Sequence, residues 1–199
     1  MFSVGIVGHT VPLTHDLMIF LTPIFLFGMG IFVIHPWFLR KDLKFLGWVA
    51  VTYIATFLIE ALGTATGIVF GEYSYGSTLG PELLDVPVVI GFNWVLVVVG
   101  AVMLARRYVK NIYAASVLGG AIATLFDYFL EPVAIELDYW TWAGGDIPLQ
   151  NYVAWLVIGT LISFSYIKFG FRCRSNLPIH YLFVQALFFL SLQLTFAFG

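Results

Sequence analysis

The sequence predicts an all-α, polytopic transmembrane helical bundle of about six spans, with both termini on the non-cytoplasmic side. Three observations carry this. Of 199 residues, 61% are hydrophobic and 10% charged, too few charges to cover the surface of a soluble domain. The apolar residues gather into runs long enough to cross a bilayer. Every Lys and Arg falls in alternate connections between those runs.

A hydrocarbon core of about 30 Å takes roughly 20 apolar residues per helix. Six runs qualify: Leu17 to Phe38, Phe45 to Phe70, Val86 to Ala105, Ile112 to Leu130, Tyr152 to Phe169 and Tyr181 to Phe198. No Lys or Arg precedes Arg40, so the first run reads as a retained span rather than a cleavable signal. No internal repeat or low-complexity stretch interrupts the chain, and residues 1–199 read as one transmembrane domain. A single cysteine, Cys173, excludes an internal disulfide and a thiolate metal cluster.

The connections orient the bundle. Arg40, Lys41 and Lys44 lie between the first two runs, Arg106, Arg107 and Lys110 between the third and fourth, and Lys168, Arg172 and Arg174 between the fifth and sixth. The positive-inside rule puts these three loops in the cytoplasm and both termini outside, and a multi-pass chain of the cell's inner, cytoplasmic membrane is expected. Of eleven acids, only Asp42 joins them. The outer loops differ in kind. Residues 71–85 carry Glu72, Tyr73, Tyr75, Glu82 and Asp85, and residues 131–151 carry Glu131, Glu136, Asp138, Tyr139, Trp140, Trp142, Asp146 and Asn151. Loops that carry function have such mixtures of acids, aromatics and glycines.

An ionisable residue inside a span is costly and marks a functional hypothesis. Glu60 and Asp127 each lie fifteen residues past the start of their runs. At about 1.5 Å per residue, both sit roughly 22 Å from the cytoplasmic end. Trp94 enters from the opposite side and reaches a similar layer, roughly 10 Å below the outer surface. Glu60, Thr64 and Gly67 share one helical face, and so do Asp127 and Glu131. Two carboxyls that close in a low-dielectric site cannot both stay ionised, and a general acid must hold its proton until it acts. Plainer readings exist for each. A buried acid can staple helices, Glu131 fits the headgroup region, and Thr64, Thr66, Gly63 and Gly67 fit close helix packing. Three acids meeting at one depth favour a joint role.

Other chemistries find no support. His9, His15, His35 and His180 are scattered, without the spacing of a helical metal pair. No metal site is expected. There is no phosphate-cradling glycine loop, Ser-His-Asp arrangement or basic stripe for nucleic acid.

The run from Glu60 through Gly63-Thr64-Ala65-Thr66-Gly67 to Gly71-Glu72-Tyr73-Ser74-Tyr75, then Leu79-Gly80 and Val86-Pro87, resembles the membrane family of carotenoid 1,2-hydratases. A second block is similar to the same family: Asp127, Glu131-Pro132, Trp140, Trp142, Pro148, Asn151-Tyr152 and Trp155. The family includes γ-carotene and lycopene hydratases and bisanhydrobacterioruberin hydratases. The resemblance implies addition of water across the terminal double bond of an acyclic ψ-end group, with neither oxygen nor cofactor. Its partners would be the carotenoid and the lipid bilayer, with room for association with other carotenoid biosynthesis enzymes.

On this reading Glu60 or Asp127 donates the proton and Glu131 orients water near the outer surface. Thr64, Tyr73, Tyr75, Trp94, Tyr128, Trp140, Trp142, Asn151 and Trp155 are the candidate substrate contacts. Five of these rings, Trp94, Tyr128, Trp140, Trp142 and Trp155, could face a carbocation, although each alone reads first as an interface anchor. The nearest alternative is another carotenoid end-group enzyme such as a lycopene cyclase, which must keep water from the cation. A proton-coupled transporter is a third reading, and it would want polar groups along a whole path.

Overall fold

The structure is a computed structural model that describes residues 2–171 and 175–198. Arg172, Cys173 and Arg174, which the sequence places in the last basic loop, lie outside the described residues. The order of elements is α1 (Phe2–Thr10), α2 (Pro12–Leu39), α3 (Leu43–Thr66), β1 (Tyr73–Tyr75), a 3-10 turn (Ser77–Leu79), β2 (Glu82–Leu83), β3 (Val86–Pro87), α4 (Val88–Tyr108), α5 (Ile112–Glu136), β4 (Trp140–Trp142), α6 (Leu149–Lys168) and α7 (Leu177–Phe198). The protein is thus nearly all-α. Five helices, α2, α3, α4, α5 and α7, are long and apolar enough to cross a membrane. The remaining long helix, α6, coincides with the fifth apolar run but opens on the polar pair Gln150-Asn151.

Local chemistry sets several helix ends. Pro12 occupies the first turn of α2, where its missing N–H costs nothing. Asp42, the one acid among the basic loops, caps α3 by accepting from the Phe45 amide at 3.0 Å. Asn111 caps α5 in the same way, accepting from the Ala114 amide at 3.0 Å. α3 stops at Thr66 rather than at Phe70, because Gly67 adopts φ 66° and turns its N–H back to Gly63 O.

Two further boundaries depart from the sequence expectation, and both matter to the site. α5 continues through Pro132 to Glu136. Proline removes one backbone donor without ending the helix, so Glu131 lies inside α5 and not in a loop. α6 starts at Leu149, just after Pro148, which places Asn151 in its first turn.

α4 is the central helix, most of its residues are buried, and α2, α3, α5, α6 and α7 pack around it. The most extensive helix pair is α5 with α6. There Gly159 faces Gly120, whose Cα lies 3.2 Å from where a Gly159 Cβ would be. The basic connections gather at one end: Lys44 Nζ donates to Phe169 O at 3.0 Å, and Arg107 Nη2 donates to Asn176 Oδ1 at 2.7 Å. At the other end the two long connections are stitched together by antiparallel pairing of β1 with β4.

Candidate active site

The acids project from α3 and α5 into a space that α4 and α6 also line, beneath the β1–β4 ribbon. All three are nearly sealed from solvent: Glu60 is 3% exposed, Asp127 1% and Glu131 1%. Glu131 is therefore a sealed residue of α5 rather than an exposed loop acid. The extra turns of α5 carry the chain beyond it, and the ribbon covers it.

The ribbon is built on a period of two. Tyr73 stands opposite Trp142, Ser74 opposite Thr141, and Tyr75 opposite Trp140. Alternate strand residues share a face, so Ser74 and Thr141 point outward while the two tyrosines and two tryptophans point at the acids. Each pair of rings serves one carboxyl. Tyr73 Oη and Tyr75 Oη donate to Glu60 Oε2 at 2.5 and 2.9 Å. Trp140 Nε1 and Trp142 Nε1 donate to Glu131 Oε2 at 2.9 and 3.0 Å.

From α6, Asn151 Nδ2 donates both to Asp127 Oδ2 and to Glu131 Oε1, each at 2.9 Å. Asn151 is itself 2% exposed. The amide therefore links two carboxyls one helical turn apart. Burial, followed by the neighbouring Glu60, holds the phenols of Tyr73 and Tyr75 well above their ordinary value. They remain donors across the neutral range.

These groups enclose a cavity of about 20 Å³ lined by Glu60, Phe70, Tyr73, Tyr75, Ile90, Trp94, Asp127, Glu131, Trp140, Trp142, Asn151 and Trp155. That volume suits about one water molecule. Its apolar wall is an aromatic stack: Trp94 on Trp155 at 3.6 Å between centroids, and Trp155 on Phe70 at 5.1 Å. No cation is among the described residues that line it. Neutral O–H and N–H donors alone compensate the acids. Among the described residues, no group of three or more His, Cys, Asp or Glu side chains is arranged to hold a metal ion.

The structure thus brings together Glu60, Asp127, Glu131, Tyr73, Tyr75, Trp94, Trp140, Trp142, Asn151 and Trp155. It does not bring in Thr64 or Tyr128. Thr64 turns its hydroxyl onto Glu60 O and Ala61 O of its own helix, and Tyr128 is 56% exposed, its ring near Tyr152. Nor are Trp94, Trp140, Trp142 and Trp155 interface anchors, since all four are buried around the acids. Phe70 and Ile90 are wall residues that the sequence did not single out. A distance of ten residues beyond an acid, across a glycine turn, gives no periodic signal.

Fold and site together define an integral membrane protein with a buried cluster of carboxyls under an aromatic roof. A family model described as carotenoid biosynthesis protein matches residues 18–198, and the chain belongs to that family. A curated relative, the bisanhydrobacterioruberin hydratase of Haloarcula japonica, is 34% identical over 128 residues. The match covers 58% of this chain and 44% of that protein, so the chain spans less than half of that relative's length. No solved structure matches the chain.

Proposed function

We propose that this carotenoid biosynthesis protein is a 1,2-hydratase, adding water to the terminal double bond of an acyclic ψ-end group such as that of lycopene or γ-carotene. The observation that carries this reading is the group of three buried carboxyls, held by neutral donors, around a cavity the size of one water.

Three carboxylates facing so small a space with no cation are not all ionised, because uncompensated buried charge is too costly. The hydrogen bonds divide their roles. Glu131 receives three N–H donors, the surroundings of a carboxylate. Asp127 receives one from Asn151 and carries the transferable proton. That proton passes to the less substituted alkene carbon and leaves a tertiary carbocation facing the Trp94–Trp155 stack. The water in the cavity attacks the cation, and its surplus proton goes to the carboxylate cluster. Alkene plus water gives the tertiary alcohol, and the cluster ends with the protons it began with. The end group itself needs more room than the cavity gives, so the aromatic wall opens to admit it from the lipid side.

Cyclisation is a second reading, favoured by the closed aromatic roof, which limits water. Both begin with the same protonation. Expression in cells that accumulate lycopene or γ-carotene, with mass analysis of the pigments, separates them. Hydration adds the mass of one water, and cyclisation leaves the mass unchanged. Membrane-inserted protein that yields neither product removes both readings.

A further inference from the structure

A second, larger cavity lies between α1, α2 and α7. It measures about 310 Å³, within the lower range of small-molecule sites. Met18, Leu21, Leu26, Phe188 and Phe189 give it apolar walls. Four polar side chains, His9, Thr22, Tyr139 and Gln185, interrupt this lining, and Thr22 Oγ1 donates to Met18 O at 2.9 Å. His9 is 7% exposed and Gln185 2% exposed, and His9 Nε2 and Gln185 Oε1 have no hydrogen-bond partner.

Both atoms are acceptors. His9 Nδ1 lies 2.7 Å from Gly5 O, and a carbonyl can only accept, so Nδ1 carries the proton and Nε2 presents its lone pair. Gln185 Nε2 donates to Asn93 Oδ1 at 3.1 Å, which leaves the amide oxygen of Gln185 without a donor. Burial keeps the imidazole below its ordinary pKa, consistent with a neutral ring. An unsatisfied buried acceptor is costly, and here two of them line one apolar cavity. A hydrocarbon alone leaves both unsatisfied. A chain end that carries a hydroxyl satisfies at least one.

The cavity is also close to the acids. Phe189, in its wall, meets Phe126 edge-on at 5.9 Å, and Phe126 meets Trp94 of the acid cavity edge-on at 6.4 Å. We propose that this cavity is a second ligand site, which takes an acyclic isoprenoid end bearing a hydroxyl, the kind of end group that hydration produces. The identity of the occupant rests on the hydratase reading. The demand for a donor rests on His9 and Gln185 alone. The alcohol end is held one aromatic layer away from the acids that formed it.

The test is a binding measurement on the purified full chain in detergent, with ligands that cannot react. A saturated sesquiterpenoid tertiary alcohol is titrated against the alkane of the same carbon skeleton. The alcohol is expected to bind about tenfold or more tightly. His9→Phe together with Gln185→Leu should abolish that preference while the alkane still binds. Equal binding of alcohol and alkane to the unmodified protein overturns the proposal, as does a preference that survives in the double variant. A monoacylglycerol that binds as tightly as the alcohol overturns the isoprenoid assignment in favour of a lipid headgroup. Because the ligands are saturated, a failed hydration assay leaves this result standing, and the reverse also holds.

Discussion

Asp127 and Glu131, four residues apart on α5, share a single donor, the Nδ2 of Asn151 on α6, at 2.9 Å each. Helical spacing places the two carboxyls on one face, but the amide fixes how they face each other. Asn151→Leu removes the donor while keeping the branched shape. Each carboxyl then loses a partner in a buried site, at about 1–3 kcal/mol. The expected outcome is a fall in hydration of about 10²-fold or more with insertion intact. Pigment product per unit of membrane-inserted protein measures it, and wild-type turnover in this variant would refute the shared-donor role.

Asp127→Asn and Glu60→Gln should separate proton donation from support. Asp127→Asn keeps the shape and the contact with Asn151 yet cannot deliver a proton, so turnover should drop by about 10²–10⁴-fold. Glu60→Gln still accepts from Tyr73 and Tyr75 through its amide oxygen, and the loss should be smaller. The reverse order would move the donor to Glu60. Full activity in both variants would end the acid mechanism.

The tyrosines carry a pH signature. Tyr73 and Tyr75 are held well above the ordinary phenol value by burial and then by Glu60, and burial pushes Tyr139 up to about 12. Unfolding returns each to about 10. Above that pH the folded chain binds more protons than the unfolded one, so stability falls as pH rises. Below it these groups contribute no slope. The Tm measured in detergent should decline from about pH 10 upward, and less steeply in Tyr73→Phe/Tyr75→Phe. An unchanged slope in that variant would assign the alkaline loss to other groups.

Much of this site was readable before any fold was known. Glu60, Asp127 and Trp94 fell into one layer from helical rise alone, and Asp127 with Glu131 on one face from helical phase. What failed to show was tertiary. Tyr73-Ser74-Tyr75 and Trp140-Thr141-Trp142 each alternate with a period of two, yet nothing local says that they pair with each other across 67 residues. That pairing turns two polar-looking outer loops into a roof and buries Glu131. The fourth apolar run ends at Leu130, yet α5 carries on through Pro132 to Glu136. His9 and Gln185 belong to helices far apart in sequence, and no spacing could announce a common cavity.

Thr64 and Tyr128 provide a matched control for that distinction. Thr64 bonds only to its own helix, and Tyr128 is exposed. Thr64→Val and Tyr128→Phe should both stay within about 0.5 kcal/mol of wild-type stability and keep product yield. Loss of turnover in either would show that the acid site extends beyond its present walls.

The contact between α5 and α6 holds the cluster together, and Gly120 is its tightest point. A Cβ there would lie 2.4 Å from Thr160 Oγ1, 2.8 Å from Leu156 O and 2.8 Å from Thr160 N. Two of these are backbone atoms, so rotamer changes cannot relieve the clash. Gly120→Ala therefore pushes α6 away from α5, at a cost of about 1–3 kcal/mol or more. Asn151 rides on α6 and its two acceptors ride on α5, so separation also lengthens the hydrogen bonds at 2.9 Å. The variant should lose stability and turnover together. Gly28, whose added Cβ meets nothing within 4 Å, gives the comparison: Gly28→Ala should lose neither. Thermal unfolding in detergent and product yield on the same preparations decide the matter. A Gly120→Ala protein with normal Tm and normal yield would show that the α5–α6 approach does not set the geometry of the acids.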